Sequence, residues 1–387
     1  MGSELEVGVV SAYSLKYELR TSKEVWDMIK EVTEGVLGRV DKGINKEEID
    51  LVIVSNFSDR FGGLLHTAPL VISHLGLNNT KGFRVENACV SGGTALYLAW
   101  NFLRSGLARN ALIVGFEKMS YLPSSTEVNE VLMLAGHPDE VLIGSPFVSL
   151  YALIATAYMN KYGVKEEDLA LVAVKNHENG LRNPLAAMQK KISVEDVMKS
   201  PYISWPLKLY DSSLITDGAA ALILSSEPRK YTDTPVMVKS VALHHDHPGV
   251  FQREDLTALR AVKKAGEEAY RSADVTLRDI DVMEVHDAFT IAEVIVYEML
   301  GLAERGKGAD LVRNGVTTFD GEIPVNPSGG LKSKGHPIGA TGVGMVAEIY
   351  WQLRGEAGQR QVPDAEIGLV ENHGGTGATS VVAIFSR

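Results

Sequence analysis

The feature that most constrains the fold of this 387-residue chain is a pattern that occurs twice along it. In the first half, a helical stretch at Val25–Val40 leads into the run Glu47–Ser55, and in the second half Leu259–Ala273 leads into Leu277–His286. Each run contains Ile-Asp followed by apolar residues, which is typical of a buried strand after a helix. The repeat therefore predicts two halves of similar architecture.

A second matching helix and strand occur later in each half. Apolar spacing predicts buried helices at about Ser91–Ser105 and Thr341–Arg354, each ended by a glycine and followed by a short apolar run, Ala111–Gly115 or Ile367–Val370. Alternating strands and helices predict the α/β class, with a mainly parallel sheet and helices on its faces. We expect the two halves to pack about a pseudo-twofold axis.

An insertion interrupts the first half. It contains an apolar helix near Ser149–Tyr162 and a polar stretch at Asn176–Asn183. Because large insertions in a compact unit often serve as covers, we expect this one to lie over the substrate. The predicted division is a first half of residues 1–119 and 211–230, an inserted segment of residues 120–210, and a second half of residues 231–387.

The charge balance and the single cysteine limit the classes of function. Lys and Arg number 38 against 49 Asp and Glu, a net charge of −11, which argues against binding to nucleic acid or an anionic membrane surface. Met1–Ala12 has no export-signal pattern, and the apolar stretch Phe147–Met159 is too short to span a bilayer. One cysteine cannot form an intrachain disulfide. We therefore expect a cytoplasmic protein. We also expect no metal site, because the cluster His244–His247 lacks a recognisable ligand spacing.

Cys89 lies between a predicted strand and a predicted helix, in the segment Asn87–Thr94. At a helix N-terminus, free amide groups and the helix dipole favour the thiolate, which is the nucleophilic form of cysteine. The alternative is that Cys89 is a small buried apolar residue, as lone cysteines usually are. The segment thus makes Cys89 a candidate nucleophile.

Three histidines stand at the ends of predicted elements. His336 lies in the glycine- and proline-rich segment Asn326–Gly342, whose turns fix an imidazole before a helix, where it can accept a thiol proton and later stabilise an oxyanion. His286 ends a predicted strand and His373 directly follows one, and such strand ends are where α/β proteins place ligands. The alternatives are a phosphate loop around His336, whose spacing matches neither nucleotide motif, a structural histidine at 286, and a plain glycine turn at 373.

Together these segments resemble the thiolase superfamily over essentially the whole chain. The Cys89 segment resembles its acyl-cysteine motif, and Gly335–Gly342 is similar to its glycine–histidine–proline motif. His286–Phe289 lies where most thiolases carry Asn-Glu-Ala-Phe, and Glu371–Gly377 lies where they carry a second cysteine. The His-Asp-Ala-Phe variant and the Asn-Pro-Ser-Gly-Gly-Leu-Lys lead-in resemble the sterol-carrier-protein-type thiolases, especially those of archaea. The resemblance implies the thiolase fold, with mixed sheets between helical layers and the insertion as a loop domain over coenzyme A.

The resemblance also implies an acetyl-CoA C-acetyltransferase that condenses two acetyl-CoA molecules to acetoacetyl-CoA, or runs in reverse, through an acyl-Cys89 intermediate. His336 would assist the ionisation of Cys89, and His286 and His336 would hold the enolate. The N–H groups of Cys89 and Gly375 would stabilise the oxyanion. Because the second cysteine is missing, His373 is the first candidate for the base that removes the α-proton, and His286 is the second. Coenzyme A thioesters would be substrates, with no tightly bound cofactor, and the phosphates would lie near three basic residues, Arg182, Lys332 and Lys334.

Two other functions stay open. A thiolase-fold cysteine acyltransferase could deliver the acetyl group to a carbon acceptor other than a CoA thioester, an idea that the missing second cysteine favours. A non-catalytic scaffold subunit could retain the fold alone, although the retained cysteine and histidines argue against it. The resemblance further implies a homodimer or tetramer and a complex with hydroxymethylglutaryl-CoA synthase and a small zinc-ribbon/OB-fold protein. Both catalytic functions require the turns of the two halves to meet at a shared pocket.

Overall fold

The computed structural model describes residues 5–387. Residues 1–4, part of the stretch Met1–Ala12 in which no export signal is predicted, lie outside the described residues. The strands are β1 (Gly8–Ser14), β2 (Leu51–Ser55), β3 (Lys81–Val85), β4 (Asn110–Lys118), β5 (Tyr202–Ser204), β6 (Leu207–Lys208), β7 (Asp217–Ser225), β8 (Val236–His245), β9 (Val282–Val285), β10 (Ile367–Gly374) and β11 (Thr379–Ser386). The helices are α1 (Val25–Leu37), α2 (Thr67–His74), α3 (Ser91–Arg104), α4 (Ser125–Met133), α5 (Pro138–Leu142), α6 (Phe147–Tyr162), α7 (Glu166–Gly180), α8 (Val194–Lys199), α9 (Arg260–Ala273), α10 (Thr290–Met299), α11 (Gly308–Arg313), α12 (Gly330–Ser333) and α13 (Ile338–Arg354).

The internal repeat is visible in the order of the main sheet. Nine strands pair in the order β3-β2-β4-β7-β1-β8-β11-β10-β9. Read outward from the central pair β1–β8, the first half continues with β7, β4 and β2, and the second half continues with β11, β10 and β9. Strands at the same distance from the centre correspond to each other. Val325 forms a parallel bridge with Met283 in β9 and so takes the position that β3 has in the first half. The prediction of two related strand–helix halves is confirmed.

The prediction of a mainly parallel sheet is wrong. Of the eight neighbouring strand pairs in the described sheet, only β2–β3, β2–β4 and β9–β10 are parallel, and the other five are antiparallel. A tight turn between Gly374 and Thr379 joins β10 to β11, and such a short connection can only join antiparallel strands. In the first half, β7 enters after the insertion and runs antiparallel to both of its neighbours.

Alternate residues of each strand face two different helical layers. In the first half, Ile53 and Ile113 face α3 and α13, whereas Val52 and Val114 face α1 and α2. The strands of the second half likewise pack between α3 and α13 on one face and α9 and α10 on the other. The result is two sheet halves between three helical layers, which confirms the predicted layering. The helices α3 and α13 lie together in the central layer, where each half contributes one of them.

The insertion contributes α4 to α8 and the small β5–β6 hairpin, between β4 and β7. The predicted apolar helix corresponds to α6. The predicted polar stretch is instead the buried end of α7 and the turn after it, where Asn179 and Asn183 donate hydrogen bonds of 2.9 and 2.8 Å to the backbone oxygens of Asn326 and Ser328. The insertion therefore holds the segment that leads to His336. The three-part division of the chain stays a prediction. None of the helices in residues 5–387 combines the length and apolar character needed to cross a membrane.

Candidate active site

Cys89 lies in a strained turn between β3 and α3. Its neighbour Ala88 has a φ of 49°, in the left-handed region that alanine rarely adopts, and the Ala88 N–H donates to the Glu86 carboxylate at 2.6 Å. Such strain at a turn before a helix is common where a reactive side chain must be presented. Cys89 as a residue is half-buried, at the edge of the first-half sheet.

The second half brings two histidines to this thiol. His286 directly follows β9, and His336 lies just before α13. The Sγ of Cys89 and one ring nitrogen from each of these histidines all lie within 4.8 Å of one another. The two imidazole rings are 5.0 Å apart and nearly perpendicular. The turns of the two halves thus meet at one pocket, as both predicted catalytic functions require.

The hydrogen bonds of His336 leave one nitrogen free to accept a proton. The hydroxyl of Thr341 donates to the backbone oxygen of Pro337 at 3.0 Å, so it accepts from His336 Nδ1–H at 2.7 Å. Nδ1 therefore carries the hydrogen, and Nε2 carries a lone pair. Burial, followed by the effect of His373, lowers the pKa of His336 to about 3. His336 is consequently a neutral imidazole with a free lone pair at Nε2.

His286 has the opposite arrangement of hydrogens. Asn372 accepts from the Gly93 N–H through its oxygen at 3.2 Å, which fixes the orientation of the amide. Its NH₂ group then donates to the Cys89 carbonyl at 3.1 Å and to His286 Nδ1 at 3.0 Å. His286 Nδ1 is thus an acceptor, and Nε2 carries the hydrogen. Burial lowers the pKa of His286 well below its usual value, as do the nearby His373 and His336, so His286 is a neutral hydrogen-bond donor.

His373 does not fit the predicted role of α-proton base. It lies inside β10, paired with Ser380, rather than after the strand as predicted. Its side chain is fully buried, with Nδ1 bonded to the Glu371 carboxylate at 3.0 Å and Nε2 bonded to the Tyr151 hydroxyl at 3.0 Å. Both ring nitrogens therefore have partners, and neither offers a free lone pair to a substrate carbon. The centroid of the His373 ring lies 4.5 Å from that of His286, so His373 packs against a histidine of the site.

The surroundings of Cys89 disfavour ionisation of its thiol. Burial raises the pKa of Cys89 to about 12, although the N–H groups of Gly375 and Cys89 hydrogen-bond to the sulfur and lower it. Burial thus outweighs the effect of the helix N-terminus on which the sequence prediction rested, and a base is needed to form the thiolate. Both N–H groups thus reach the Cys89 sulfur, and their role as an oxyanion hole stays a prediction.

Apolar side chains surround the cysteine and reduce access of water. The cluster combines residues of the first-half loops, the insertion and the start of α13: Phe57, Met119, Leu132, Ala135, Ile215 and Ile338. A small acyl group on Cys89 would be buried against this wall, and polar interactions within it would be strengthened by the low local dielectric.

The predicted phosphate contacts of Lys332 and Lys334 are wrong. Both side chains are buried, with 1% and 4% of their surface exposed. Lys332 lies in the field of Asp211, Asp287 and Glu293, whereas Lys334 donates to the Gly344 carbonyl at 3.0 Å. Because these ammonium groups are buried near carboxylates, they are not available to a ligand phosphate. Arg182 is partly exposed and lies over the Phe319 ring at 4.5 Å, so its role stays a prediction.

Several residues of the site were not identified from the sequence. Glu371 and Asn372 directly precede His373 in a predicted motif, and strand alternation places Glu371 and His373 on one face, a signal that could have paired them. Thr341 follows His336 closely in sequence. Tyr151, in contrast, lies on α6 in the insertion, and nothing near it in sequence connects it with a histidine more than two hundred residues away.

The fold and the cysteine–histidine site define a thiolase. The sequence matches the family descriptions "Thiolase, N-terminal domain" over residues 7–228 and "Thiolase C-terminal domain-like" over residues 242–387. The chain belongs to the thiolase family.

Individual relatives agree with the predicted subgroup. The chain is 43% identical over 373 residues to an acetyl-CoA acetyltransferase of Methanothermobacter thermautotrophicus, covering 94% of this chain and 96% of the relative. It is 34% identical over 389 residues to human sterol carrier protein 2, covering 97% of this chain and 70% of that protein. The solved structure "Ltp2-ChsH2(DUF35) aldolase" has a TM-score of 0.84 at 21% identity, covering 99% of this chain and 98% of that one, and shows the fold alone. The resemblance to sterol-carrier-protein-type and archaeal thiolases is confirmed.

Proposed function

We propose that this protein is an acetyl-CoA C-acetyltransferase, which condenses two acetyl-CoA molecules to acetoacetyl-CoA through an acetyl-Cys89 intermediate. The observation that carries the proposal is the convergence of the Cys89 sulfur with one nitrogen each of His286 and His336 within 4.8 Å. One of these imidazoles has a free lone pair and the other a free N–H, which are the two groups that a condensation needs. The acetyl-CoA acetyltransferase from Methanothermobacter thermautotrophicus, 43% identical, supports the choice of substrate.

In the first half-reaction, His336 Nε2 takes the thiol proton of Cys89, and the thiolate attacks the carbonyl carbon of acetyl-CoA. The N–H groups of Cys89 and Gly375 stabilise the oxyanion. The intermediate collapses with cleavage of the bond to the CoA sulfur, which takes the proton from His336 and leaves as free coenzyme A. Cys89 is then acetylated, and His336 is neutral again.

In the second half-reaction, His336 Nε2 removes a proton from the methyl group of a second acetyl-CoA. The enolate oxygen accepts a hydrogen bond from His286 Nε2–H, and the α-carbon attacks the acetyl carbon on Cys89. A carbon–carbon bond forms, the bond to Sγ breaks, and the cysteine thiolate recovers its proton from His336. His336 thus serves as the base twice, in place of the second cysteine of most thiolases.

The intermediate can be tested directly. The protein is incubated with acetyl-CoA and analysed by mass spectrometry, with Cys89→Ala as the control. We expect one acetyl group on Cys89 of the wild type and none on the variant. A folded wild type that binds coenzyme A yet carries no adduct would refute the nucleophile.

The choice of base requires a second comparison. We expect His336→Asn to lose acetylation and condensation together, whereas His286→Asn should acetylate Cys89 but condense poorly. Loss of condensation in His373→Asn beyond that in His336→Asn would contradict the assignment of the base. Each variant is measured by acetyl-CoA-dependent adduct formation and by acetoacetyl-CoA formation.

The missing second cysteine still favours an alternative, transfer of the acetyl group to a different carbon acceptor. The two functions differ when acetyl-CoA is the only substrate. Condensation releases coenzyme A continuously with formation of acetoacetyl-CoA, whereas the alternative stops after one coenzyme A per Cys89. A chain-length series of 3-ketoacyl-CoA substrates, assayed in both directions, would define the acyl specificity.

The surroundings of the enzyme are part of the proposal. We infer a cytoplasmic homodimer or tetramer that binds coenzyme A thioesters under the insertion without a tightly held cofactor or metal, and that supplies hydroxymethylglutaryl-CoA synthase in a complex with a small zinc-ribbon/OB-fold protein. The similar Ltp2-ChsH2(DUF35) aldolase is named for two components, one of them a DUF35 protein, and this supports a partner protein for the present chain. Light scattering on the purified protein, alone and with the candidate partners, tests the assembly.

A further inference from the structure

The start of α13, just after His336, is held by strands of the first half. Gly339 is the second residue of this helix, and its N–H donates to the Glu117 carboxylate at 3.0 Å. Its carbonyl oxygen accepts from the Ser55 hydroxyl at 2.7 Å. A Cβ at Gly339 would lie 2.5 Å from the backbone oxygen of Phe116, so α13 lies directly against β4 at this point. Side chains of two paired strands, β2 and β4, thus hold both backbone polar groups of one helix residue.

The Glu117 carboxylate acts as a cap of α13. The first N–H groups of any helix lack partners within it, and a capping side chain usually accepts one of them. Before α13 the capping position is Pro337, which makes no such bond. A carboxylate near a helix N-terminus is also favoured by the helix dipole. Glu117 therefore stabilises the first turn of α13 from the other half of the chain.

All hydrogen-bond partners of the Glu117 carboxylate are N–H donors. Besides Gly339, it accepts from the Asn56 side-chain amide at 2.7 Å, the Phe57 N–H at 2.8 Å and the Ser58 N–H at 3.4 Å. Because Glu117 is fully buried, these donors have no water to replace it. A glutamine in its place would turn an NH₂ group towards other N–H groups. Glu117→Gln therefore breaks part of this set with little change of volume.

The histidine depends on the same turn of the helix. The Thr341 hydroxyl, which accepts from His336 Nδ1–H, lies in α13 and bonds the backbone oxygen of Pro337. A displacement of the first turn therefore moves Thr341 and His336 together. Because Cys89 belongs to the first half, such a displacement changes the separation of the thiol from the imidazole.

We propose that Glu117 and Ser55 are positioning residues, which fix the first turn of α13 and so hold His336 Nε2 where it can take the proton of the Cys89 thiol. This inference rests on the proposed function, in which His336 is the base. Both residues act through the backbone of Gly339.

The charge of Glu117 acts on the thiol in the opposite direction. After burial, and together with the charge of Glu86, it is among the causes that raise the pKa of Cys89. Removal of the charge alone would therefore favour the thiolate and speed its reactions. A slower reaction of Cys89 in Glu117→Gln accordingly reports a change of position and not a change of charge.

Alkylation by iodoacetamide tests the position of His336 without coenzyme A. Cys89 is the single cysteine, so the intact mass of the protein measures its reaction. The thiol proton passes to His336, the carbon–sulfur bond forms and iodide leaves. The assay is run at pH 9, because burial raises the pKa of Glu117 to about 8. We expect Glu117→Gln to react about tenfold more slowly than the wild type and Ser55→Ala about threefold, as small misplacements of a reacting group cause.

Steady-state condensation gives a second readout of the same variants. We expect kcat of Glu117→Gln to fall by a similar factor, with KM for acetyl-CoA within twofold of the wild type, because the loss concerns the proton transfer and not substrate binding. Glu298→Gln is the matched control. Glu298 is also a buried carboxylate that accepts two backbone N–H groups, those of Gly306 and Gly308 at 3.0 Å, but these lie after α10. Its alkylation rate and kcat should stay within twofold of the wild type.

A double-mutant cycle separates positioning from a general loss of structure. If Glu117 acts through His336, adding Glu117→Gln to His336→Asn should change the alkylation rate by less than twofold, because the base is already absent. A purely structural role would slow both backgrounds by the same factor. Should Glu117→Gln fail to fold, the same cycle with Ser55→Ala decides.

The outcomes separate this inference from the proposed function. Equal slowing by Glu117→Gln in both backgrounds would overturn the inference even if condensation is normal, and so would wild-type alkylation rates in both Glu117→Gln and Ser55→Ala. A wild type that is alkylated at Cys89 but makes no acetoacetyl-CoA would instead refute the proposed function, while the cycle would still decide the role of Glu117.

Discussion

At the residue scale, the three imidazoles near Cys89 have different chemistry because each bonds to a different partner. Thr341 bonds to Nδ1 of His336, so that Nε2 keeps a free lone pair, and Asn372 bonds to Nδ1 of His286, so that its Nε2–H is free. Glu371 and Tyr151 together bond to both ring nitrogens of His373. Each partner is itself fixed by a further hydrogen bond, so the tautomers follow from the backbone. Identical side chains thus differ in what they offer: His336 has a free lone pair, His286 has a free N–H, and both ring nitrogens of His373 have partners.

The Thr341 contact can be removed without a change of shape. Thr341→Val deletes the acceptor of His336 Nδ1–H, so the hydrogen can move to Nε2 and the base is lost. We expect the rate of Cys89 acetylation to fall by roughly 10- to 100-fold, the usual range for a general base. Quenched-flow mass spectrometry measures the rate. Thr379→Val is the matched control, because Thr379 makes a similar contact, 2.9 Å, with His245. Equal losses in both variants would contradict the prediction.

His177 provides a test of stability against pH outside the catalytic site. Burial lowers its pKa to about 4, so the folded protein resists a proton that the unfolded chain accepts below about 6.5. Its contribution to stability is present above pH 6.5 and is lost as the pH falls towards 4. In His177→Asn this loss is absent, and the difference in unfolding free energy between wild type and variant should shrink by about 3 kcal/mol between pH 7 and 4. Urea unfolding at both pH values measures it, and a constant difference would contradict the assignment.

The sequence pointed to Cys89 and the three histidines because each lies at or near the end of a strand or the start of a helix. It could not assign their hydrogens, since Asn372, Tyr151 and Thr341 act through contacts that only the fold creates. Lys332 and Lys334 were misinterpreted for the same reason. A glycine-rich segment with two lysines is typical of a phosphate site, but the carboxylates that surround these ammonium groups come from distant parts of the chain.

At the scale of elements, the two central helices α3 and α13 depend on glycine where they touch. A Cβ on Gly92 would lie 2.7 Å from the backbone nitrogen of Val343 and 2.8 Å from the Cα of Gly342. Both are backbone atoms that cannot rotate away. The glycines next to Cys89 therefore serve helix packing, and this close approach keeps the cysteine turn of the first half beside the His336 turn of the second.

Gly92→Ala should therefore destabilise the protein by about 3 kcal/mol, at the upper end for overpacking, and should lower Tm by several degrees. Gly38→Ala is the control, since Gly38 ends α1 with an ordinary φ of −69° and its nearest contact would be at 3.4 Å. We expect it to change stability by less than about 1 kcal/mol. Calorimetry measures both, and similar Tm values for the two variants would contradict this account of the crossing.

The helices were predicted well because their ends are marked locally. Gly106 and Gly355 follow α3 and α13 with positive φ, as glycines after helices usually do. Strand direction has no such local mark. β7 runs antiparallel to its neighbours because of the path of the insertion, and β11 runs antiparallel to β10 because one tight turn joins them. Periodicity alone could not reveal either direction.

At the scale of the whole molecule, the candidate site combines side chains from both halves of the chain. Cys89 comes from the first half, and His286 and His336 come from the second. The shared core around α3 and α13 holds both halves together, and strands of both halves contribute to it. The insertion covers one side of the site and bonds to the second half through Asn179 at the end of α7 and Asn183 just after it. The site therefore exists only in the complete assembly of both halves.

The link between the halves runs from β7 to β8 along the surface, where the Asp233 side chain is 87% exposed. Two polypeptides, residues 1–233 and 234–387, should accordingly associate when co-expressed and restore acetylation of Cys89, although neither would react alone. Affinity purification through a tag on one fragment, followed by mass spectrometry, measures this complementation. Failure of the fragments to co-purify would contradict it. If the fragments do co-purify and react, the peptide link between the halves is not needed to assemble the site. Two separately made polypeptides could then do the work of this single chain.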